Sequence, residues 1–554
     1  MKPRTGTLLA CVASLWFLAH CPASAQQAAT DDPSAAATPS AEEIAELAEG
    51  RPIASIVLNK KQIFDTSDPR ENNALFRLAN RLHIITRDKT ITRQLLLEPG
   101  QEYSRRLADE SERILRSNQY FYNAALEPQL RDDGSVDLEV TTREVWTLKP
   151  QLSLSRSGGE NKTTFGVEEV NLLGRGQSLT FERTKDVDRT SSLFLFSDRH
   201  FIRDWLSASL YLSNNSDGHS RYIALAQPFY ALDTRRAGGV TVLDDERRST
   251  LYELGKKAAE YGHQQEYLSL FGGWSSGLRQ GWVRRYTLGA VYDENRFSSV
   301  PNDSLPDAVP EDRKLVYPFF GIEIAQDQFE TARNREKIDR TEDFYTGTRF
   351  SARVGLSSKG FGADRDALVY AARYDQGFGS IDSKALLLSA GVNGRVENGG
   401  AENVKLALDA RYYNQQSKKR LFFATTHAVI GWNLDLDNPV EIGGDTGLRG
   451  YPLRYQSGES RFLMTMEQRY FTDWYIFRLV RVDGAIFVDT GRTWGDNPVG
   501  GSPLGWLTDV GFGLRFAPTR TGFGKIVHLD IAFPLDGDPS IDSVQVLLTA
   551  KKSF

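Results

Sequence analysis

Two residue patterns in the sequence match sites of catalysis or of metal binding. The segment Gly273–Gly277, of sequence GWSSG, fits G-x-S-x-G, which exposes a nucleophilic serine on a sharp turn between a strand and a helix. No helical pattern follows it, so we expect no nucleophile there. The seven histidines, such as His83, His200 and His427, are scattered without the spacing of metal ligands. The sequence therefore predicts neither an enzyme nor a bound metal or other cofactor.

A third pattern, an arginine among glycines, indicates close packing rather than catalysis. Arg449 lies in the segment 442–451, of sequence IGGDTGLRGY, and a further glycine stands at position 458. Glycines let a backbone turn tightly and approach a wall of side chains. A guanidinium in a confined space presents a planar fork of donors, for which carboxylates are the matching acceptors. The alternative is an arginine in a solvated loop.

The N-terminus has the features of an export signal. Lys2 and Arg4 precede an apolar run, Leu8–Ala19, and the segment Ala23–Ala25 has the small residues of a cleavage site. The expected cut after residue 25 removes both cysteines and reduces Lys and Arg from 67 to 65, against 72 Asp and Glu. The resulting net charge of about −7 gives no basis for binding nucleic acid, which requires a clustered basic face.

Composition divides the exported chain into three parts. Residues 26–50 are rich in Ala, Ser, Pro, Asp and Glu, and we expect a flexible leader that holds one helical turn, Glu42–Ala48. Residues 51–148 combine a strand, two helices and a hairpin around Asp132–Gly134, which predicts a small α+β domain. From 149 to 554 helical patterns almost vanish, and strand-length stretches alternate with Gly, Asn and Asp turns.

Such a run of strands predicts either stacked soluble sheets or one closed barrel in an outer membrane. A closed barrel leaves no edge, so it satisfies every backbone group in lipid. At roughly 25 residues per strand and connection, we expect a 16-stranded antiparallel transmembrane β-barrel. In the last stretch Val544, Val546, Leu548 and Phe554 share one face. We therefore expect the chain to end on an aromatic residue at the membrane interface.

Two motifs resemble those of a known family, the BamA/TamA-type outer-membrane assembly factor superfamily (bacterial surface antigen family). The segment 442–451 is similar to its extracellular loop signature, whose central residues here are Leu448, Arg449, Gly450 and Tyr451. The family's strand motif, aromatic-x-Asp-x-Gly, is matched by Phe487, Asp489 and Gly491. The resemblance implies that the loop folds back into the barrel and that Arg449 pairs with carboxylates of the inner wall, Asp489 and Glu467.

The resemblance covers residues 51–554. The segment Asn171–Gln177 is similar to the family's first barrel hairpin, and residues 51–148 resemble its periplasmic POTRA module, including Asn80–Ile84 and the helix Glu110–Arg116. It implies a single POTRA-like domain before the barrel, fewer than the best-known relatives carry. It also implies a weak seam between the first and last strands, near Thr163–Val170 and Val544–Phe554.

The function implied by the resemblance is the insertion or translocation of polypeptides at the bacterial outer membrane, with the N-terminal domain in the periplasm. The expected partners are unfolded outer-membrane or secreted polypeptide clients, outer-membrane lipids, and periplasmic chaperones or accessory lipoproteins. An edge strand of the POTRA-like domain would accept a client by β-augmentation, and the seam would template an incoming hairpin. General assembly and dedicated secretion both stay open. The alternative is a passive outer-membrane pore or surface structural protein that retains the fold without translocase activity.

Overall fold

The structure, a computed structural model, describes residues 40–300, 309–497, 499–500, 504–522, 524–539 and 541–554. The predicted signal peptide, 1–25, and the first part of the predicted leader, 26–39, lie outside the described residues. Within those ranges, no helix has both the length and the apolar character needed to cross a bilayer.

The first described element lies inside the predicted flexible leader. Helix α1 (Ala41–Ala48) starts at a capping box, in which the Glu43 amide donates to the Ser40 hydroxyl and the Ser40 amide donates to the Glu43 carboxylate. Ala48 is buried in the core of the N-terminal domain. Regular structure therefore begins before residue 51. Helix α1 forms there because Ser40 caps its first turn and because its apolar side packs on the core of the N-terminal domain.

The N-terminal domain is an α+β unit, as the sequence predicts. Its elements are β1 (Ile53–Lys61), α2 (Ala74–Leu82), α3 (Asp88–Thr92), α4 (Arg105–Arg116), β2 (Phe121–Leu130) and β3 (Val136–Glu144). Strand β3 is central, parallel to β1 and antiparallel to β2. It buries Val136, Leu138 and Val140 completely, while the residues between them are partly exposed. The helices pack on the face of the sheet that bears these buried residues.

The rest of the described chain consists almost entirely of strands. They are β4 (Leu148–Ser157), β5 (Glu160–Glu169), β6 (Ser178–Lys185), β7 (Thr190–Asp198), β8 (Ser207–Asn215), β9 (Gly218–Gln227), β10 (Arg236–Glu253), β11 (Lys256–Arg279), β12 (Trp282–Ser299), β13 (Arg313–Gln326), β14 (Phe329–Arg333), β15 (Thr341–Tyr345), β16 (Arg349–Ser357), β17 (Ala367–Ser380), β18 (Lys384–Glu397), β19 (Gly400–Ser417), β20 (Arg420–Trp432), β21 (Val440–Ile442), β22 (Gln456–Gly458), β23 (Ser460–Tyr470), β24 (Tyr475–Ile476), β25 (Val480–Trp494), β26 (Leu507–Pro518), β27 (Ile526–Pro534) and β28 (Gln545–Lys551). Two short 3-10 turns, Leu172–Gly174 and Lys359–Phe361, interrupt the series.

These strands form one closed antiparallel barrel, which confirms the predicted β class but corrects the strand number. Apart from the two-residue strand β24, the described residues contribute 20 wall strands rather than 16. The prediction assumed connections that are too long. Several hairpins turn in two residues with positive φ, such as Gly158–Gly159, Leu254–Gly255 and Asn398–Gly399. Turns of this hand match the twist of the strands, so the same length of chain holds more strands.

The barrel closes weakly between its last and first strands. Strands β28 and β4 share one registered pair, Leu548 with Arg156, whereas ten pairs join β4 to β5 and seven join β27 to β28. The predicted first strand, Thr163–Val170, is wrong, because most of it belongs to β5, the second strand. For the same reason Asn171–Gln177 forms the second turn of the barrel and not its first hairpin.

The chain end departs from the predicted position at the membrane interface. Val544 and Val546 are exposed on the outer face while Gln545 and Leu547 are buried, as the alternation predicts. Beyond Lys551, however, the chain leaves the wall and Phe554 is buried. Its ring lies 5.4 Å from the ring of Phe471 and 4.8 Å from the guanidinium of Arg469. Cations over its face hold the aromatic end inside the barrel instead.

The N-terminal domain sits against the turns at one end of the barrel, here called the domain end. The amide of Arg87 donates to the carbonyl of Gly174 at 2.9 Å, and Arg93 Nε donates to Asp204 at 2.8 Å. Glu110 accepts from the amide of Leu232 at 2.8 Å. These bonds join helices α3 and α4, and the chain beside them, to three successive turns of the barrel.

Candidate functional site

Arg449 lies in the loop between β20 and β23, at the end of the barrel opposite the N-terminal domain. The strand pair β21–β22 closes the base of this loop, and residues 443–455 form what is here called the Arg449 loop. Ile442, Leu448 and Tyr451 are buried in a cluster with side chains of the wall. The loop therefore folds inward and packs against the barrel rather than extending into solvent.

Arg449 is only 4 % exposed, and its guanidinium is surrounded by acceptors. Its Nε and one Nη donate to both carboxylate oxygens of Asp489, at 2.7 and 2.9 Å. The other Nη donates to Glu467 at 3.0 Å. The ring of Phe487 lies below the guanidinium, with its centroid 3.3 Å away. This is a bidentate, charge-assisted pair with a cation–π contact, an arrangement that lysine cannot reproduce.

The neighbours of Arg449 fix the loop backbone as well. The amide of Gly450 donates to Asp509 at 3.0 Å, and a Cβ atom at this position would lie 2.6 Å from the Cβ of Asp509. The Tyr451 hydroxyl donates to the carbonyl of Thr508 and accepts from its amide, at 2.8 and 3.0 Å. Glycine at 450 is therefore needed for a close approach to the wall.

The same loop also reaches the first strands of the barrel. The amide of Leu453 donates to the carbonyl of Gly158, in the turn between β4 and β5. Arg454 forms a bidentate pair with Asp188 at 3.0 and 2.7 Å, and these bonds, with one from Tyr252, lower the pKa of that carboxyl although burial opposes the shift. Since β26 bears Thr508 and Asp509, the Arg449 loop joins the last strands to the first across the seam.

A chain of buried charges continues from Arg449 toward the domain end. Glu467 also accepts from Arg469 at 2.9 Å, and Arg515 donates to Asp530 at 2.5 Å. Arg469 in turn donates to the carbonyl of Arg335 at 2.6 Å. These contacts connect strands β23, β26 and β27 with a second inserted segment.

That segment, here called the lumen hairpin, comprises β14, β15 and their connection. On the barrel side, the Phe554 amide donates to the carbonyl of Glu336 at 2.7 Å, and the hydroxyl of Tyr413 donates to the Glu336 carboxylate at 2.6 Å. On the domain side, Arg116 donates to both oxygens of Asp343, at 3.0 and 2.6 Å. The lumen hairpin thus contacts the N-terminal domain, the chain end and the buried charges together.

One acid of the lumen hairpin has a shifted pKa. Glu342 is buried and accepts from the amides of Arg335, Glu336 and Lys337. Burial raises its pKa to about 7, although those three amides favour the charged form.

The remaining predicted residues are placed as follows. Gly491 packs closely on Phe462 and Leu463 of β23, while Leu448 is fully buried. Ser275 of the GWSSG segment lies within β11, which passes through a two-residue turn into another strand, so the turn into a helix that the motif needs does not occur there. The histidines named above lie far apart along the chain, and no described group of three potential ligand side chains could hold a metal.

Sequence reasoning missed four charged residues of the site: Arg469, Asp509, Arg515 and Asp530. Each occupies an inward, buried position of an alternating strand. The signal available in the sequence was a charged residue at a strand position whose alternation predicts burial, because a buried charge needs a partner.

The chain was compared with known proteins. No family model matches it. Over 126 residues it is 29 % identical to a protein of Treponema pallidum (strain Nichols) named as an outer membrane protein assembly factor; this match spans 21 % of the chain and 15 % of that protein.

Solved structures similar to the chain include CdiB from Escherichia coli, at 13 % identity and a TM-score of 0.47, over 92 % of this chain and 77 % of that one. CdiB from Acinetobacter baumannii has 12 % identity and a TM-score of 0.42, over 91 % and 74 %. BamA from Haemophilus ducreyi lacking POTRA domains 1–3 has 13 % identity and a TM-score of 0.36, over 90 % and 85 %. The architecture given above rests on the strand pairing of this chain.

Proposed function

We propose that this protein is an outer-membrane barrel of the BamA/TamA type that inserts or translocates polypeptides through the seam between β4 and β28. The observation that carries the proposal is the single residue pair that joins these two strands. Leu152 on β4 is 82 % exposed and lies in the part of that strand that pairs with β5 but has no registered partner on β28. An unpaired strand edge is a template for another strand.

The two ends of the seam differ. The pair Leu548–Arg156 lies next to the turn at Gly158, where the Arg449 loop is bound. Toward the domain end, β28 ends at Lys551 and the chain turns inward to Phe554. The seam is therefore held at the far end by the loop and is open at the domain end, so a client strand would enter from the side of the N-terminal domain.

The N-terminal domain offers an edge strand to which a client could bind before it reaches the seam. Strand β1 is an edge of its three-stranded sheet, and Val57 on it is half-exposed. An extended client can add to such an edge through backbone hydrogen bonds, which demand little of its sequence. The domain would sit in the periplasm, and clients would be unfolded outer-membrane or secreted polypeptides. No step of this mechanism needs a catalytic residue, a metal or another cofactor.

The seam can be tested by locking it. The predicted mature chain has no cysteine, so Arg156→Cys with Leu548→Cys introduces one defined pair at directly facing positions, where a disulfide can form. The matched control is Thr164→Cys with Thr184→Cys, a facing pair in the continuous ladder between β5 and β6. We expect the seam disulfide, but not the control, to stop client delivery until a reductant is added.

Delivery is measured by quantitative proteomics of the outer membrane and the culture medium. Loss of many barrel proteins under the seam lock indicates a general assembly factor, and loss of one secreted protein indicates a dedicated transporter. Unchanged levels in the fully oxidised seam variant would refute transport through the seam and favour the passive pore.

A further inference from the structure

Helix α2 of the N-terminal domain carries an apolar face that no described residue covers. Leu75, Leu78 and Leu82 recur at the spacing of one helix face and are 65, 49 and 62 % exposed. Ile84, just beyond the helix, is 53 % exposed. The domain core uses another face, on which Phe76 is the buried residue of the helix. Three leucines in a row on a nine-residue helix are more apolar surface than a solvated helix needs.

The helix lies beneath the seam. Phe76 shares an apolar cluster with Trp146, which precedes β4, and with Leu479, in the connection between β23 and β25. Five residues after the end of α2, Arg87 at the start of α3 donates from Nε to the carbonyl of Leu173, at 3.0 Å, in the turn between β5 and β6. Helix α2 and the segment that follows it therefore reach turns on the two sides of the seam, at the domain end of the barrel.

Those two turns also carry exposed apolar side chains. Leu173 is half-exposed in one, and Trp474 and Phe477 are 66 and 82 % exposed in the other. At the rim of a membrane barrel, aromatic side chains occupy the interface between lipid tails and headgroups. The barrel turns next to α2 thus carry residues suited to that interface.

Basic side chains lie beside the leucine face of α2. Arg77 and Arg81 lie on a third face of α2, about 110° around the helix from the leucines by the 3.6-residue period. Both are exposed, and Lys60 and Lys61 line the same groove. A helix with leucines on one side and arginines beside them has the composition of a segment that lies in the plane of a membrane interface and binds anionic headgroups.

We propose that α2 is an interfacial helix, whose leucine face lies in the inner leaflet of the outer membrane next to the open end of the seam. The inference rests on the proposed function, because it requires the barrel to be in a bilayer. Lipid is favoured over a client as the occupant because the helix packs through Phe76 on turns of the barrel rim, and because its exposed leucines lie beside basic residues. An interfacial α2 would hold the N-terminal domain at a fixed depth below the seam.

The test uses the full mature chain with one cysteine at a time, labelled with a bimane fluorophore. Leu78→Cys reports on the leucine face, and Arg77→Cys is the matched control, one residue away on the same helix. Leu270→Cys lies on the outer face of β11 and reports insertion of the barrel itself. The labelled proteins are refolded into vesicles of phosphatidylethanolamine and phosphatidylglycerol, with or without bromine on the acyl chains.

We expect brominated lipid to quench the labels at 78 and 270 to a similar extent, and the label at 77 at least severalfold less. Quenching at 270 but not at 78 would overturn the interfacial helix and leave the barrel proposal intact. Equal quenching at 77 and 78 would also overturn it, because no face would then be selected. Absence of quenching at 270 would refute membrane insertion, and with it both proposals.

Discussion

Arg449→Ala is the substitution for which the structure predicts the largest effect on the Arg449 loop. It removes the three hydrogen bonds at 2.7, 2.9 and 3.0 Å and leaves Asp489 and Glu467 buried without the fork that they face. Breaking a buried ion pair from one side costs about 3–5 kcal/mol, because the remaining charge stays desolvated. Since 1.4 kcal/mol is a factor of ten, the released state of the loop should gain roughly 10²- to 10³-fold or more in population.

Arg449→Ala should destabilise the Arg449 loop but not the strands of the barrel wall. Strands β23 and β25 keep eleven registered pairs without Arg449, so the variant should still insert and keep its heat-modifiable migration in gels. Hydrogen exchange with mass spectrometry measures the loop directly. The amide of Gly450, which donates to Asp509, should lose protection by about the same factor, and the peptide covering 443–455 should exchange faster than its neighbours.

Two further variants separate charge from geometry. Arg449→Lys keeps the charge but not the bidentate fork, and we expect an intermediate loss of protection. Arg449→Met with Asp489→Asn removes a cation and an anion together, and it should recover part of the loss. We also expect client delivery to fall with loop release. An inserted Arg449→Ala protein whose residues 443–455 exchange at the rate of the parent protein would refute the pairing as the anchor of the loop.

Three other predictions follow from the contacts of the hairpin and of the loop. Arg116→Ala should raise hydrogen exchange in residues 329–345 about tenfold, since a charged hydrogen-bonded pair contributes about 1.5 kcal/mol; unchanged exchange would show that the N-terminal domain does not hold the hairpin. Because the folded-state pKa of Glu342 is raised to about 7, its stabilising contribution is present at low pH and is lost as the pH rises through 7. Exchange in the hairpin, corrected for intrinsic rate, should thus be faster at pH 8 than at pH 6, and Glu342→Gln should remove the difference. Gly450→Ala should release the loop by its clash with Asp509, whereas Gly272→Ala, whose added Cβ meets no atom within 4 Å, should not; equal exchange in the two variants would contradict the close approach.

Much of the architecture could be predicted from local patterns. Alternation of apolar and polar residues has a period of two and needs no knowledge of the partner strand, so the β class could be predicted. The α+β domain was predicted in the same way, from helical spacing and the turn at Asp132–Gly134. Strand number was wrong because it depends on turn length. Two-residue turns such as Leu254–Gly255 carry little sequence signal beyond one glycine.

For the site, the sequence by itself singled out the arginine and its glycines, and the pairing of Arg449 with Asp489 and Glu467 was implied by the family resemblance. The sequence could not determine which other inward residues meet. Arg469, Arg515 and Asp530 join the network because β23, β26 and β27 are neighbours or near neighbours in the closed sheet. The inward turn of Phe554 toward Arg469 and Glu336 also depended on the folded barrel. The physical reason is that parity is a property of one strand, whereas contacts across the lumen depend on the register and closure of all the strands together.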